Sequence, residues 1–448
     1  MTSRREFLTT AAAGAGLSVS LQASQSKPAK TSANDKVQIA LIGCGGMGQG
    51  DARSSTATGL TKIVAACDCY DGRLQHMKET YGPLLFTTKN YEEILARKDI
   101  DAVIIGTPDH WHSKISIDAM KAGKDVYCEK PMVQHVDDGA PVVAAQRATN
   151  RIMQVGSQRV SSVIYKKARE LYQSGAIGKL NMVEAWWDRN SATGAWEYTV
   201  PPDANTDTCD WNTFQGRAAK TDWDANRFFR WRCYRDYGTG VAGDLFVHLF
   251  SGLHFITGAI GPTRVFATGG LRFWNDGRDV PDLLIGLYDY PQTAEHPAFN
   301  LVLRVNFESG AQESSGFRFT GSDGIMTVSD KVTVTGAPPE TEPGYTIGTF
   351  SAAEQEAFLK AYHAKYPETK ASPENLKAAK EMTYQAPPKY SDHIDHHRNF
   401  AMAVRSRKPV VEDPTFGFRA AGPALLSNMS YFENRVVEWD PAAMKIKG

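Results

Sequence analysis

The sequence predicts an α/β fold: a doubly wound parallel-sheet domain over residues 36–157, then a second domain over 158–448 in which strands follow one another. Three observations predict it. Short apolar runs alternate with helix-patterned stretches from Lys36 to Gly156. A glycine-rich turn joins the first such run to a helix. Beyond residue 260 the alternation gives way to strand-like runs in succession.

Composition sets the outer limits. Of 448 residues, 42% are hydrophobic and 22% charged, so the chain is neither disordered nor fibrous. Fifty basic and fifty acidic side chains cancel, which argues against a nucleic-acid partner. No apolar run reaches the ~18 residues of a membrane span, so no membrane partner is expected. Ahead of the first domain, Arg4-Arg5 with Phe7-Leu8 precedes an Ala/Gly-rich stretch from Ala11 to Leu21. This reads as a twin-arginine signal with a polar tether up to residue 35, which predicts a periplasmic protein exported folded. Cys44, Cys67 and Cys128 fall in or beside apolar runs and read as core. Cys209 and Cys233 lie in a loop-rich stretch and could pair.

In the first domain, Val37–Ile42 is the opening strand. Gly43-Cys44-Gly45-Gly46-Met47-Gly48 follows and matches G-x-G-x-x-G. A second strand, Lys62–Cys67, ends in Asp68, twenty residues past Gly48. Together these form a dinucleotide-binding fingerprint of the Rossmann type: glycines let the backbone approach a pyrophosphate at a helix N-terminus. Asp68 would accept hydrogen bonds from ribose hydroxyls and repel a 2′-phosphate, so NAD is expected rather than NADP. Further strands are predicted at Ala102–Gly106, Asp125–Cys128 and Ile152–Gly156, with helices at Ser113–Ala122 and Val136–Thr149. Ligands bind at the carboxyl ends of such strands. There stand Thr107-Pro108-Asp109-His110-Trp111-His112 and Glu129-Lys130-Pro131. His110 and His112, two apart with no acidic or Cys cluster beside them, read as pocket wall and not as a metal pair. Position alone leaves Lys130 open between a surface turn and an active-site role.

These motifs resemble the Gfo/Idh/MocA oxidoreductases, whose members include glucose–fructose oxidoreductase and inositol dehydrogenase. The resemblance implies that Lys130 lies between nicotinamide and substrate. It also gives meaning to Gly238-Thr239-Gly240-Val241-Ala242-Gly243-Asp244 with His248 four residues on, a spacing that puts Asp244 and His248 on one helix face. Without it, a capping Asp and a half-buried His would read equally well. The expected catalytic set is Lys130, Asp244 and His248. The cofactor set is Gly43, Gly45, Gly46, Met47, Gly48, Asp68, Thr107, Pro108, His110, Trp111, His112, Glu129, Lys130 and Gln158. The substrate set is Arg159, Trp187, Trp231, Asp244 and His248. No metal is expected.

For residues 158–448 the resemblance implies an α+β domain with a large, mainly antiparallel open sheet and helices on one face, and strands are predicted at Thr263–Thr268, Leu283–Tyr290, Leu301–Phe307, Ser315–Thr320, Gly324–Val328 and Lys331–Thr335. Six of nine tryptophans fall in 186–237, a loop-rich stretch with interleaved Asp, Asn and Arg. It suits either sugar contact or a small aromatic core of its own. Residues 336–390 read as an insertion with exposed helices at Glu354–Lys365 and Pro373–Glu381. A capped helix begins at Ser391-Asp392-His393, where His393 and His397 stand i, i+4.

The expected activity is NAD-dependent oxidation of a secondary hydroxyl on a sugar, polyol or glycoside, with tightly held cofactor. The alternatives are a redox-neutral NAD-dependent glycosidase and a non-catalytic sugar-binding protein. The resemblance implies a homodimer or homotetramer through the second-domain sheet.

Overall fold

The computed structural model describes residues 36–337, 344–366 and 382–447. The twin-arginine signal and the expected helix at Pro373–Glu381 lie outside them.

The first domain alternates strand and helix as expected: β1 (Val37–Ile42), α1 (Gly46–Ala57), β2 (Thr61–Cys67), α2 (Asp71–Tyr81), β3 (Phe86–Thr88), α3 (Tyr91–Ala96), β4 (Ala102–Ile105), α4 (Asp109–Lys121), β5 (Asp125–Glu129), α5 (Gly139–Thr149) and β6 (Met153–Gly156). The six strands are parallel in the order β3-β2-β1-β4-β5-β6. The order reverses between β1 and β4, which opens a crevice at their carboxyl ends. The region from Asp71 to Ala96 adds two helices and a strand for which no element was expected. Helix α4 starts at Asp109, four residues earlier than expected, because Pro108 precedes it in extended backbone. His110, Trp111 and His112 therefore ride on its first turn.

The second domain follows with α6 (Val163–Gln173), β7 (Leu180–Asp188), α7 (Trp211–Gln215), α8 (Ala225–Phe229), α9 (Val247–Thr257), β8 (Arg264–Gly270), β9 (Leu283–Tyr290), β10 (Phe299–Asn306), β11 (Ser314–Gly321), β12 (Gly324–Val328), β13 (Lys331–Gly336), α10 (Gly344–Ile347), α11 (Ala352–Lys365), β14 (Met382–Gln385), α12 (Asp392–Ser406), α13 (Pro414–Glu433), β15 (Val437–Asp440) and β16 (Lys445–Ile446). Its ten strands run β14-β13-β12-β11-β7-β10-β9-β8-β15-β16, antiparallel except for β7 with β10. Strand β7 was not expected. It carries Trp186 and Trp187, which therefore belong to the sheet and not to the loop.

Strand burial alternates, as in β8 and β10, so one face is covered and the other open. Helices α6, α9 and α13 cover that face, and α13 also packs on α5 of the first domain. Helix α12 packs on α1, so the two domains share one continuous interior. The contact is close: a Cβ on Gly139 would lie 2.1 Å from the Phe418 ring. All six cysteines are free thiols, so Cys209 and Cys233 do not pair.

Candidate active site

The crevice at the switch point is lined by Gly43, Gly45, Gly46, Met47, Asp68, Thr107, Pro108 and Trp111, as expected from the motifs. Gly43 takes φ +91°, and a Cβ there would lie 2.5 Å from the Gly106 backbone. A Cβ on Gly46 would meet nothing within 4 Å, so backbone at the start of α1 is open to a ligand. These are the two requirements of a pyrophosphate cradle, a tight turn and an unobstructed helix N-terminus, and the residues fit a dinucleotide. Asp68 stands at the rim. Its carboxylate accepts from the Cys44 amide at 2.7 Å and the Tyr70 amide at 2.9 Å, with Arg73 3.6 Å away.

Six expected cofactor residues, Lys130 among them, do not line the crevice. Gly48 packs beneath the turn, where a Cβ would lie 2.0 Å from the Gly43 carbonyl oxygen. His110 is buried, its ring facing the Phe214 carbonyl at 2.8 Å, and burial lowers its pKa to about 4. His112 lies between the Pro131 carbonyl (2.7 Å) and the Thr107 carbonyl (2.9 Å), tying together the turns after β4 and β5. Only a doubly protonated ring donates to both. Burial opposes that form, but Cys128 and the two carbonyls outweigh it and raise the pKa. Glu129 turns inward and accepts from Gln158 Nε2 at 2.6 Å. Beside it Asp51 is pushed up to about 8 by burial and faces His397 at 3.1 Å, while His393 pairs with Asp392, which accounts for the i, i+4 histidines.

Lys130 leaves the end of β5 and meets the second domain. Its Nζ donates to Asp244 Oδ1 at 2.6 Å and to the Asp244 carbonyl at 2.8 Å. Arg232 Nε adds a contact to the same carboxylate at 3.2 Å. Burial alone would raise the Asp244 pKa, but the Lys130 and Arg232 charges outweigh it and hold the carboxyl well below its usual range. Residues 242–246 form a π-helical turn leading into α9, wider than the regular helix the i, i+4 spacing implied. Asp244 consequently faces the two cations, and it makes no hydrogen bond to His248. His248 lies with its ring centre 5.1 Å from that of Trp187, and its Nδ1 has no hydrogen-bond partner. Burial, then the charges of Lys130 and Arg159, keep its pKa well below normal, so the ring is neutral.

The aromatic stretch resolves into both of its readings. Trp196 is buried against Phe307, and Trp211, Trp223, Phe214, Phe228 and Tyr237 pack on one another. Trp187 and Trp231 line cavities. The stretch also straps the crevice. At one end the Asp210 amide donates to Cys69 O (2.8 Å) and the Asp71 amide to Thr208 O (3.0 Å). At the other, Trp111 Nε1 donates to Phe214 O at 2.9 Å. Between them Phe228, Phe229 and Trp231 face Gly45 and Gly46 across the crevice. The sequence reading missed Arg73, Arg189 and Arg232, which stand in segments without a motif. For Arg189 and Arg232 the one signal was the Arg content interleaved with aromatics between 186 and 237.

Residues 37–157 match the Gfo/Idh/MocA oxidoreductase family, NAD-binding Rossmann fold. Inositol 2-dehydrogenase of Salmonella typhimurium strain LT2 is 29% identical over 168 residues, 37% of this chain and 49% of that protein. A glycosyl hydrolase family 109 protein of Solibacter usitatus is 31% identical over 164 residues, 34% of this chain and 37% of that protein. The chain thus spans half or less of these curated relatives. A solved structure of levoglucosan dehydrogenase in complex with NADH and L-sorbose superposes with a TM-score of 0.64 at 17% identity, covering 91% of this chain and 100% of that one. The whole two-domain fold is shared.

Proposed function

We propose that the protein is an NAD-dependent oxidoreductase acting on a secondary hydroxyl of a sugar, polyol or glycoside, with a tightly held cofactor. The observation that carries this is the Lys130–Asp244 pair beside His248, reached from the carboxyl end of β5 next to a dinucleotide crevice. Gly43, Gly45, Gly46 and Asp68 would hold the cofactor, which supplies a nicotinamide ring that accepts hydride.

Each protein group has a separate task. An ammonium has three N–H donors. Two of those on Lys130 are fixed by Asp244, which aims the third at the reacting oxygen and stabilises its developing negative charge. His248, held neutral, accepts the hydroxyl proton. Asp244 positions Lys130, and Arg232 keeps Asp244 ionised.

The strap over the crevice favours a cofactor that stays in place, and with it a second reading: oxidation, elimination, hydration and reduction at one sugar, without net NADH. Absorbance at 340 nm with excess NAD and a panel of sugars and glycosides tests both. A sustained rise supports an ordinary dehydrogenase and removes the held cofactor. A rise ending at or below one equivalent per chain supports the held cofactor. Free sugar released from a glycoside without net NADH selects the second reading. No reduction and no cleavage with any member of the panel overturns the proposal.

A further inference from the structure

A second cavity, about 740 Å³, opens beside His248. Trp187 joins the two, lining the cavity while its ring centre lies 5.1 Å from that of His248. Two guanidinium groups face this cavity, on Arg159 and Arg189. Both residues are half-buried, and uncharged groups hold both in place. The Arg159 guanidinium carbon sits 4.6 Å from the centre of the Trp187 ring. Arg189 Nη1 donates to the Gly194 carbonyl at 2.8 Å, and its guanidinium carbon lies 5.6 Å from the centre of the Phe307 ring. Arg189 follows β7 two residues beyond Trp187, the spacing that returns a side chain to the same face of a strand.

Among the described residues no carboxylate lies within 4.0 Å of either guanidinium. The carboxylates that share the cavity have closer partners, and the Arg159 charge reaches Asp392 only from beyond 4.0 Å. Asp188 pairs with Arg304 at 2.7 Å and Asp392 with His393 at 3.0 Å. Glu313 accepts from Ser191 Oγ at 2.6 Å, and Asp330 from Ser329 Oγ at 2.9 Å. A cation drawn partly out of water without a partner is costly, and half-buried arginines ordinarily sit against an anion. Here two such groups are held ready at the wall of one cavity, one of them against the Trp187 ring, next to the proposed proton acceptor.

We propose that the substrate is a sugar bearing a carboxylate, a uronic acid or its glycoside, and that Arg159 and Arg189 bind that carboxylate. This rests on the oxidoreductase reading above and specifies its substrate class. The planar fork of each guanidinium matches a carboxylate. Four carboxylates line the same cavity and repel a dianionic phosphate ester more than a monoanion. With the carboxylate at the arginines, the Trp187 wall sets the sugar ring alongside His248.

The experiment uses the folded full chain loaded with NAD. Rates at 340 nm and saturation of tryptophan fluorescence are measured with glucuronate and galacturonate, with glucose and galactose, and with glucose 6-sulfate and glucose 6-phosphate. The expected result is a kcat/KM for a uronate about tenfold or more above that of its neutral sugar, with the preference weakening as salt is added. Arg159→Gln and Arg189→Gln should each bring that ratio toward one, and Arg189→Lys should restore part of it, which separates loss of the fork from loss of the fold. Equal or better use of neutral sugars, or an unchanged ratio in both Gln variants, overturns the proposal. Preference for the sulfate or phosphate ester overturns the carboxylate assignment. Saturable uronate binding that is lost in Arg189→Gln, with no reduction of NAD, upholds the anion site and instead removes the dehydrogenase reading.

Discussion

Replacing Lys130 by Met separates chemistry from cofactor binding. The side chain keeps its apolar stem and loses the ammonium whose third N–H is proposed to meet the reacting oxygen. Removing one preorganised donor of that kind costs about 100- to 1000-fold in kcat, or about 3–4 kcal/mol of barrier. The fold pays separately. Asp244 keeps Arg232 at 3.2 Å, so the loss falls near the low end for breaking a buried pair, about 3 kcal/mol. That lowers Tm by a few degrees. Acid sensitivity follows from the same carboxylate. Asp244 is held below its unfolded value, so its stabilisation is present above about pH 4 and is lost as pH falls through the folded value. Without Lys130 the folded value rises, and the variant unfolds at a higher pH on acidification. Turnover at 340 nm, bound nucleotide released on denaturation, and Tm at stepped pH read the three effects. Nucleotide lost in step with activity would refute the assignment of Lys130 to the chemistry, as would a wild-type rate.

Three further outcomes are expected. His248→Asn should lower kcat by about 100-fold or more, and the wild-type rate should hold its plateau below pH ~6.5, because the folded ring resists protonation; a rate that falls through pH 6.5–7 removes His248 as the base. Asp68→Asn should shift the ratio of NADP to NAD affinity upward by about tenfold, since Arg73 loses its carboxylate neighbour at 3.6 Å and becomes available to a 2′-phosphate; nucleotide titrations followed by fluorescence would show it, and an unchanged ratio counts against Asp68 as the discriminating group. Gly216→Val should speed cofactor release about tenfold, because Gly216 has φ +54° and a Cβ there would lie 2.6 Å from the Trp111 ring, which displaces the strap; stopped-flow exchange against excess nucleotide measures it.

Much of this site could be read from the sequence where backbone geometry forces residue choice. The turn after β1 needs glycine at Gly43, and an acid ending β2 needs a fixed count of residues, so both show in one dimension. The start of α4 was also within reach, since Pro108 marks it, yet the apolar pattern only becomes regular at Ser113. Strand β7 escaped because its tryptophans and carboxylates resemble the loop that follows. The π-helical turn at 242–246 has no sequence signature distinct from a helix. Arg232, Arg189 and Arg73 gain meaning only from partners that the fold brings in from other segments, such as Asp244 for Arg232.

The Lys130–Asp244 contact crosses from one domain to the other, which bears on how such proteins can be rebuilt. The proposed reaction centre is split: the first half contributes the ammonium, and the second half contributes the groups that hold it. A chimaera that exchanges the second half to obtain a new substrate must bring its own Asp and Arg in register with Lys130, or it will bind cofactor and sugar and do nothing with either.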